Sequence, residues 1–340
     1  MESSPDVTPD AALPAKLRKM VRELALPGGR MVGSPGHAQA AAWVEANLKS
    51  LRLDPYRGDA FSLPYHCNGE AFTNFAGVLA GRDRSLAPIL IGAHYDSVIP
   101  HPWADDNAAA VAVALRAIAQ LSTVVLERDV VIAIFDAEEP PYFQAEAMGS
   151  VRFCEDQSDD RGFHAAIILD LVGHDVTLPQ LGLLTPPPIR RLLAVQGAES
   201  NPALADLVGA LTPEKISLIA LKNDYLPDMS DHYAFRREGV PYLFFTCAPW
   251  EHYHQPTDTP EKLNYRKMAR ISALVSEAAR QLATMEIKPE APACDFTASI
   301  EARTIRRALG PWLRFLNIHR MDTRDDVDAF AAVLLASLRW

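Results

Sequence analysis

The chain has 340 residues and a mass of 37.3 kDa, room for one large domain or two modest ones at roughly 100 to 200 residues each. Its 49% hydrophobic and 22% charged residues exclude collagen-like, coiled-coil and wholly disordered organisation. With 33 basic against 43 acidic residues the formal charge is −10, which argues against a nucleic acid or an anionic membrane as the main partner.

The polar, proline-containing start lacks the apolar stretch of a signal peptide, and no apolar run approaches the roughly 18 residues of a membrane span. Cys67, Cys154, Cys247 and Cys294 lie far apart with no C-x-x-C pair, so they read as reduced thiols of a cytoplasmic protein.

Ser34-Pro35 reads as an N-cap with a first-turn proline, and Ala41, Val44, Leu48 and Leu51 predict a helix to about Arg52. Strands are expected at 60–63, 74–79 and 88–93, the last ending in His94-Tyr95-Asp96. A buried helix should start at Asp106-Asn107 and run to Leu121. The continuous apolar run DVVIAIF (129–135) predicts a central parallel strand that leads into Asp136-Ala137-Glu138-Glu139. A helix at 148–155 precedes a strand at 165–169 that stops at Asp170. Helices at 189–195 and 202–211, a strand at 216–221, a helix at 230–237, a strand at 242–246 and an amphipathic helix at 265–285 complete the alternation. The fold class is therefore α/β, a sheet with helices on both faces. Pro289 to Pro292 reads as a linker between a catalytic domain (1–288) and a helical C-terminal extension (289–340). In that extension Val327, Phe330, Leu334 and Leu338 follow a Thr323 N-cap. The extension either caps the core or mediates homo-oligomerisation.

His94, Asp105, Glu138, Glu139, Asp170 and His254 fall at the carboxyl ends of predicted strands or in the loops after them, the edge at which open α/β sheets bind ligands. Singly, each has an ordinary explanation as a surface pair, cap or turn residue. Together, so many carboxylates on one rim demand cations. Imidazole with carboxylate oxygen suits zinc, and also manganese or cobalt. Two divalent ions would balance Asp105, Glu139, Asp170 and one hydroxide, with both histidines neutral.

The segments IGAHYDS (91–97), ADDNAAAV (104–111), FDAEE (135–139), LD (169–170), SDHYAF (230–235) with GVP, and HQPTDTPEKL (254–263) resemble, in order, the motifs of the zinc-dependent aminopeptidase family. That family includes leucine-type bacterial aminopeptidases, glutamate carboxypeptidases and glutaminyl cyclases. The resemblance spans about residues 30–285 and implies a three-layer α/β sandwich with a mixed, mainly parallel sheet. It implies that His94 and Glu139 or Asp170 complete separate metal positions, that Asp105 bridges them through a cis Asp105-Asp106 bond, and that His254 closes the second. Glu138 would be the general base and Asp96 the carboxylate orienting the ligand histidine. The spacing His-x-Pro-x-Asp-Thr selects His254 over His252. His101, His174 and His232 have no motif support.

The reaction expected is hydrolysis of an amino-terminal peptide or aminoacyl amide bond with zinc, two ions or one, and Asp228 is a candidate for holding the α-amine. The alternative is a glutaminyl-peptide cyclotransferase with a single zinc, and a third reading is a metal-free binding or scaffold protein. The PPYFQAEAM segment (140–148) is longer than the corresponding turn of many aminopeptidases. Arg236-Arg237 is similar to the cyclases, whereas Asp-Thr-Pro after His254 is similar to the peptidases. Of the aromatic residues near motif loops, Tyr142, Phe143, Trp103, Trp250 and Tyr253, about two are expected to wall a pocket.

Overall fold

The computed structural model describes residues 11–158, 160–288, 295–315 and 317–338, so the expected linker at 289–292 and Cys294 lie outside the described residues. Helix α1 (Leu13–Leu24) is not among the predicted elements, although Leu13, Leu17, Val21 and Leu24 form one buried stripe at helical spacing. Helix α2 (Pro35–Ser50) starts as predicted, with the Ser34 hydroxyl accepting the His37 amide at 3.1 Å. After β1 (Asp54–Pro55), strands β2 (Ser62–Cys67) and β3 (Glu70–Leu79) form a hairpin. It turns on Asn68-Gly69, both at positive φ (52° and 83°), the backbone that matches strand twist in a two-residue loop.

Strands β4 (Ile89–His94), β5 (Val130–Phe135) and β6 (Ala165–Leu169) are buried at every position. Helix α3 (Ala110–Leu121) joins β4 to β5, and α4 (Gly149–Arg152) lies between β5 and β6. The segment 189–195 departs from its predicted helix: a single turn, α5 (Pro187–Arg190), gives way to strand β7 (Leu192–Gln196). A short apolar run fits a buried strand as well as a helix face, and sheet pairing decides between them. Then come α6 (Pro202–Ala210), β8 (Ser217–Ala220), α7 (His232–Arg237), β9 (Tyr242–Thr246) and α8 (Tyr265–Leu282).

All strands join one mixed sheet in the order β1-β3-β5-β4-β6-β9-β7-β8, with β2 also paired to β3. Strands β5, β4, β6 and β9 run parallel to one another, while β3 and β7 are antiparallel to their neighbours β5 and β9. The pleat divides the core. Val130, Ile132 and Ile134 of β5 face a large cluster with residues of α1, α2, α3 and α8, and Val131, Ala133 and Phe135 face a second with Phe153 and Phe235. Helices therefore cover both faces, as a parallel sheet requires. The chain passes from β4 to β5 on one side and returns to place β6 on the other, so the loops after these strands open a crevice at their carboxyl ends.

The C-terminal portion is helical: α9 (Ala298–Leu309), α10 (Trp312–Phe315) and α11 (Arg324–Leu338). Helix α9 lies on the β8 edge, where the Thr304 hydroxyl accepts the Ala220 amide at 3.0 Å. Ile300, Ile305, Val327 and Phe330 join the larger core cluster. Thr323 caps α11 by accepting the Asp326 amide.

Candidate metal centre

Strand β4 delivers His94, fully buried, to the sheet edge opposite Phe135, the last residue of β5. The His94 Nδ1 lies 3.2 Å from Asp96 Oδ1, which leaves Nε2 facing the crevice. Asp96 also accepts the backbone amides of Glu138 (3.1 Å) and Glu139 (3.0 Å), so one carboxylate sets both the histidine and the Glu-Glu pair. Burial opposes its ionisation, but the hydrogen bond and charge of His94 outweigh this and hold Asp96 below the usual carboxylate range.

Around His94 Nε2 stand Asp106 Oδ1 at 3.4 Å, Glu138 Oε2 at 3.6 Å and Asp170 Oδ2 at 3.7 Å. The other Asp106 oxygen, Oδ2, lies 3.3 Å from His254 Nε2, which is also 3.6 Å from Glu139 Oε2. His254 sits at positive φ (56°) between the rings of Tyr253 and Trp103. Burial pushes Glu138, Glu139 and Asp170 up, and each also feels neighbouring carboxylates. Burial works against a charge on His94, yet the surrounding acids raise its pKa well above the ordinary value.

His94 Nε2, Glu139 Oε1 and Asp170 Oδ1 are buried without a hydrogen-bond partner among the described residues. Buried polar atoms are normally satisfied, so unpartnered atoms on three neighbouring residues fit a site for a cation. His94, Glu138 and Asp170 form one set whose ligand atoms lie within 4.8 Å of one another, and His94, Asp106 and Glu139 form another. Nitrogen and carboxylate oxygen at this spacing fit zinc. The residues present therefore fit a metal.

The structure corrects the sequence reading by one residue. Asp105 does not face the centre: its oxygens accept the Gly173 amide (2.6 Å) and contact His174 Nδ1 (2.5 Å). A Cβ on residue 173 would sit 2.6 Å from that oxygen, so glycine is needed for the approach. Asp106 takes the place between the two histidines, and the cis peptide bond is Asp106-Asn107 rather than Asp105-Asp106. Asp258, quoted in the sequence motif but given no role there, accepts the amides of both Asp105 and Asp106 and fixes the turn. Two adjacent aspartates are indistinguishable in one sequence, and the backbone bend separates them.

The other candidates lie elsewhere. His174 stacks on Trp250, His252 contacts Thr257 Oγ1, and His232 is buried against Phe244. Asp228 lines the crevice but cannot serve as a free anchor for an α-amine, because it already accepts from Asn223 Nδ2 and from two nitrogens of Arg236. Of the five aromatic residues, Phe143 and Tyr253 wall the cavity of about 390 Å³ that contains Asp106, Glu138, Glu139, Asp170 and His254. Trp103 is buried behind His254, Trp250 lines a separate groove beside α1, and Tyr142 packs edge-on against Phe72. Sequence reasoning did not find Gln196, Leu226, Met229 and Phe244, which complete the walls. Gln196, Leu226 and Met229 lie outside the predicted elements, and Phe244 lies in an apolar strand that reads as core.

The sequence model of peptidase family M28 matches residues 74–279, an interval that includes every residue of the centre. The chain belongs to peptidase family M28. It is 29% identical over 206 residues to the uncharacterized protein YfbL of Escherichia coli (strain K12), covering 54% of this chain and 63% of that protein. The chain thus spans less than two thirds of that relative. The fold is similar to the LapA aminopeptidase of Legionella pneumophila (TM-score 0.63, 18% identity, 84% of this chain and 74% of that one). It is equally similar to the glutaminyl cyclase of Porphyromonas gingivalis (TM-score 0.62, 17% identity, 78% and 96%). Among the described residues no helix is long and apolar enough to cross a membrane.

Proposed function

We propose that this M28 protein is a zinc aminopeptidase that removes the first residue of a peptide or aminoacyl amide. The observation that carries the reading is the charge of the cavity. Among the described residues lining it are five carboxylates and His254 but no lysine or arginine. With zinc offsetting the ligand carboxylates and Arg236 pairing Asp228, this wall adds no protein cation to hold a substrate's terminal carboxylate, which favours attack at the amino-terminal end. The free thiols Cys67, Cys154 and Cys247 support a reducing, cytoplasmic setting.

His94, Asp106 and Asp170 would hold one ion, and Asp106, Glu139 and His254 the other. When bound, zinc supplies Lewis-acid polarisation of the scissile carbonyl and offsets the clustered negative charge. Asp96 holds His94 with Nε2 directed at the centre, which fixes its tautomer. Glu138 is the general base: its buried carboxylate takes a proton from the attacking water and returns it to the leaving amine nitrogen. Its main-chain amide is held by Asp96, which fixes the segment that carries the carboxylate. Phe143, Met229 and Phe244 give the cavity an apolar wall suited to an apolar side chain.

Glutaminyl cyclisation would use the same ligands, and the experiment separates the two. Zinc-loaded protein is incubated with aminoacyl amides, their N-acetyl counterparts and amino-terminal glutaminyl peptides, and products are read by mass spectrometry. Free amino acid from the unblocked substrates alone is expected. Loss of ammonia from glutaminyl peptides without cleavage would replace this reading with the cyclase.

A further inference from the structure

Arg30 lies in the loop between α1 and α2 and is wholly buried, an unusual place for a charged side chain. It has no carboxylate partner within ion-pair distance among the described contacts. Instead all five of its guanidinium donors go to main-chain carbonyls. Nε donates to Tyr95 O (2.7 Å), Nη1 to Leu24 O (3.3 Å) and Pro102 O (2.8 Å), and Nη2 to Trp103 O (3.0 Å) and Asp106 O (3.3 Å). Its own amide donates to Ser97 Oγ at 2.7 Å, and the Ser97 amide returns a bond to Arg30 O.

Four of these carbonyls belong to one stretch of chain, 95–106. It starts beside His94, contains Asp96 and ends at Asp106. One rigid, planar group therefore grips the main chain at both ends of the loop that separates the two halves of the metal centre. A lysine could not do this, having three donors on a single point charge. Burial lowers the Arg30 pKa to about 10, while Asp96, Asp106, Asp258 and Glu139 favour its charged form, so it stays a cation at neutral pH.

We infer that Arg30 is a positioning residue for the metal centre: by holding the carbonyls of Tyr95 and Asp106 on one guanidinium, it sets the separation of His94 and Asp106 and thereby the affinity for metal. This rests on the metal-centre reading above. A purely structural role, stapling the α1–α2 loop to the core, would predict lost stability alone.

The test compares Arg30→Lys, Ser97→Ala and a control, Lys267→Met. Lys267 is another buried cation that donates to main-chain carbonyls, those of His174 and Arg190, neither of which is a candidate ligand. Each variant is measured by thermal melting, by zinc affinity in chelator competition and by the visible spectrum of the cobalt-substituted protein. Removing a residue that orients ligands costs about 10- to 100-fold in metal affinity. Arg30→Lys should therefore bind zinc at least about tenfold more weakly and shift the cobalt bands. Ser97→Ala, which loosens only the Arg30 anchor, should move both readouts in the same direction by less. Lys267→Met should melt earlier with affinity and spectrum unchanged. If the Arg30 and Ser97 variants melt early but bind metal like the wild type, Arg30 is structural and the inference fails. If the wild type itself binds no metal, the metal-centre reading fails with it. Should Arg30→Lys not fold, Ser97→Ala carries the decision.

Discussion

Asp106 Oδ2 lies 3.3 Å from His254 Nε2, and through this pair the turn after β4 meets the loop after β9. Because its other oxygen faces His94, Asp106 is the side chain that belongs to both halves of the centre. Asp106→Ala should lose metal from both positions. Asp105→Asn, which disturbs the contacts to Gly173 and His174, should lower stability and keep most of the metal. Elemental analysis after dialysis distinguishes them, and equal metal loss would return the bridging role to doubt.

Glu138→Gln keeps the shape of the side chain and removes its capacity to take a proton. Turnover should drop by at least about a hundredfold, the usual scale for general acid–base work, while metal content stays near that of the wild type. Steady-state kinetics paired with metal analysis checks this. A large loss of zinc would make Glu138 a ligand instead.

His232 is wholly buried, packed at 4.0 Å against Phe244, and burial pushes its pKa down to about 3. In the unfolded chain the same imidazole titrates near 6.5. The unfolded state therefore binds the proton first, and the folded state loses stability as pH falls from about 6.5 towards 3, at about 1.4 kcal/mol per pH unit. His232→Phe should remove this dependence. Between pH 7 and pH 5 the wild type should lose about 2 kcal/mol more than the variant in urea unfolding. Parallel losses in the two proteins would contradict the assignment.

Helix α11 is held by an ion pair in which Arg324 donates to both oxygens of the buried Glu301, at 2.8 and 2.9 Å, and also to Asp295. Arg324→Ala strands the Glu301 charge and should cost about 3 kcal/mol. The double variant with Glu301→Gln should recover part of it. A double-mutant cycle by chemical denaturation measures both.

The central strands were legible because Ile89 to Ala93, Val130 to Phe135 and Ala165 to Leu169 are apolar without interruption, a pattern that only burial on two sides explains. His94, Glu138, Glu139 and Asp170 stand out in the sequence because they end or follow those strands, and His254, in the loop after β9, because of its motif spacing. Asp106 was not distinguished from Asp105, since a bend fixed by Asp258 from far along the chain sets their directions. Arg30 was invisible for a related reason: its partners are main-chain carbonyls, which leave no mark in composition or spacing. The Asn68-Gly69 hairpin and the α1 stripe carried local signals that a closer reading of turn residues and helical spacing would have caught.

The division of labour between strands and loops has an evolutionary consequence. Much of the metal centre hangs from the ends of β4, β5 and β6, while Phe143, Leu226, Met229 and Tyr253, which shape the cavity, sit on the connecting segments. Those segments can therefore lengthen, shorten or change in sequence without moving the strand ends that carry His94, Glu138 and Asp170. The fold of this chain is similar to that of both an aminopeptidase and a glutaminyl cyclase, so one arrangement of strand ends is compatible with different connecting segments.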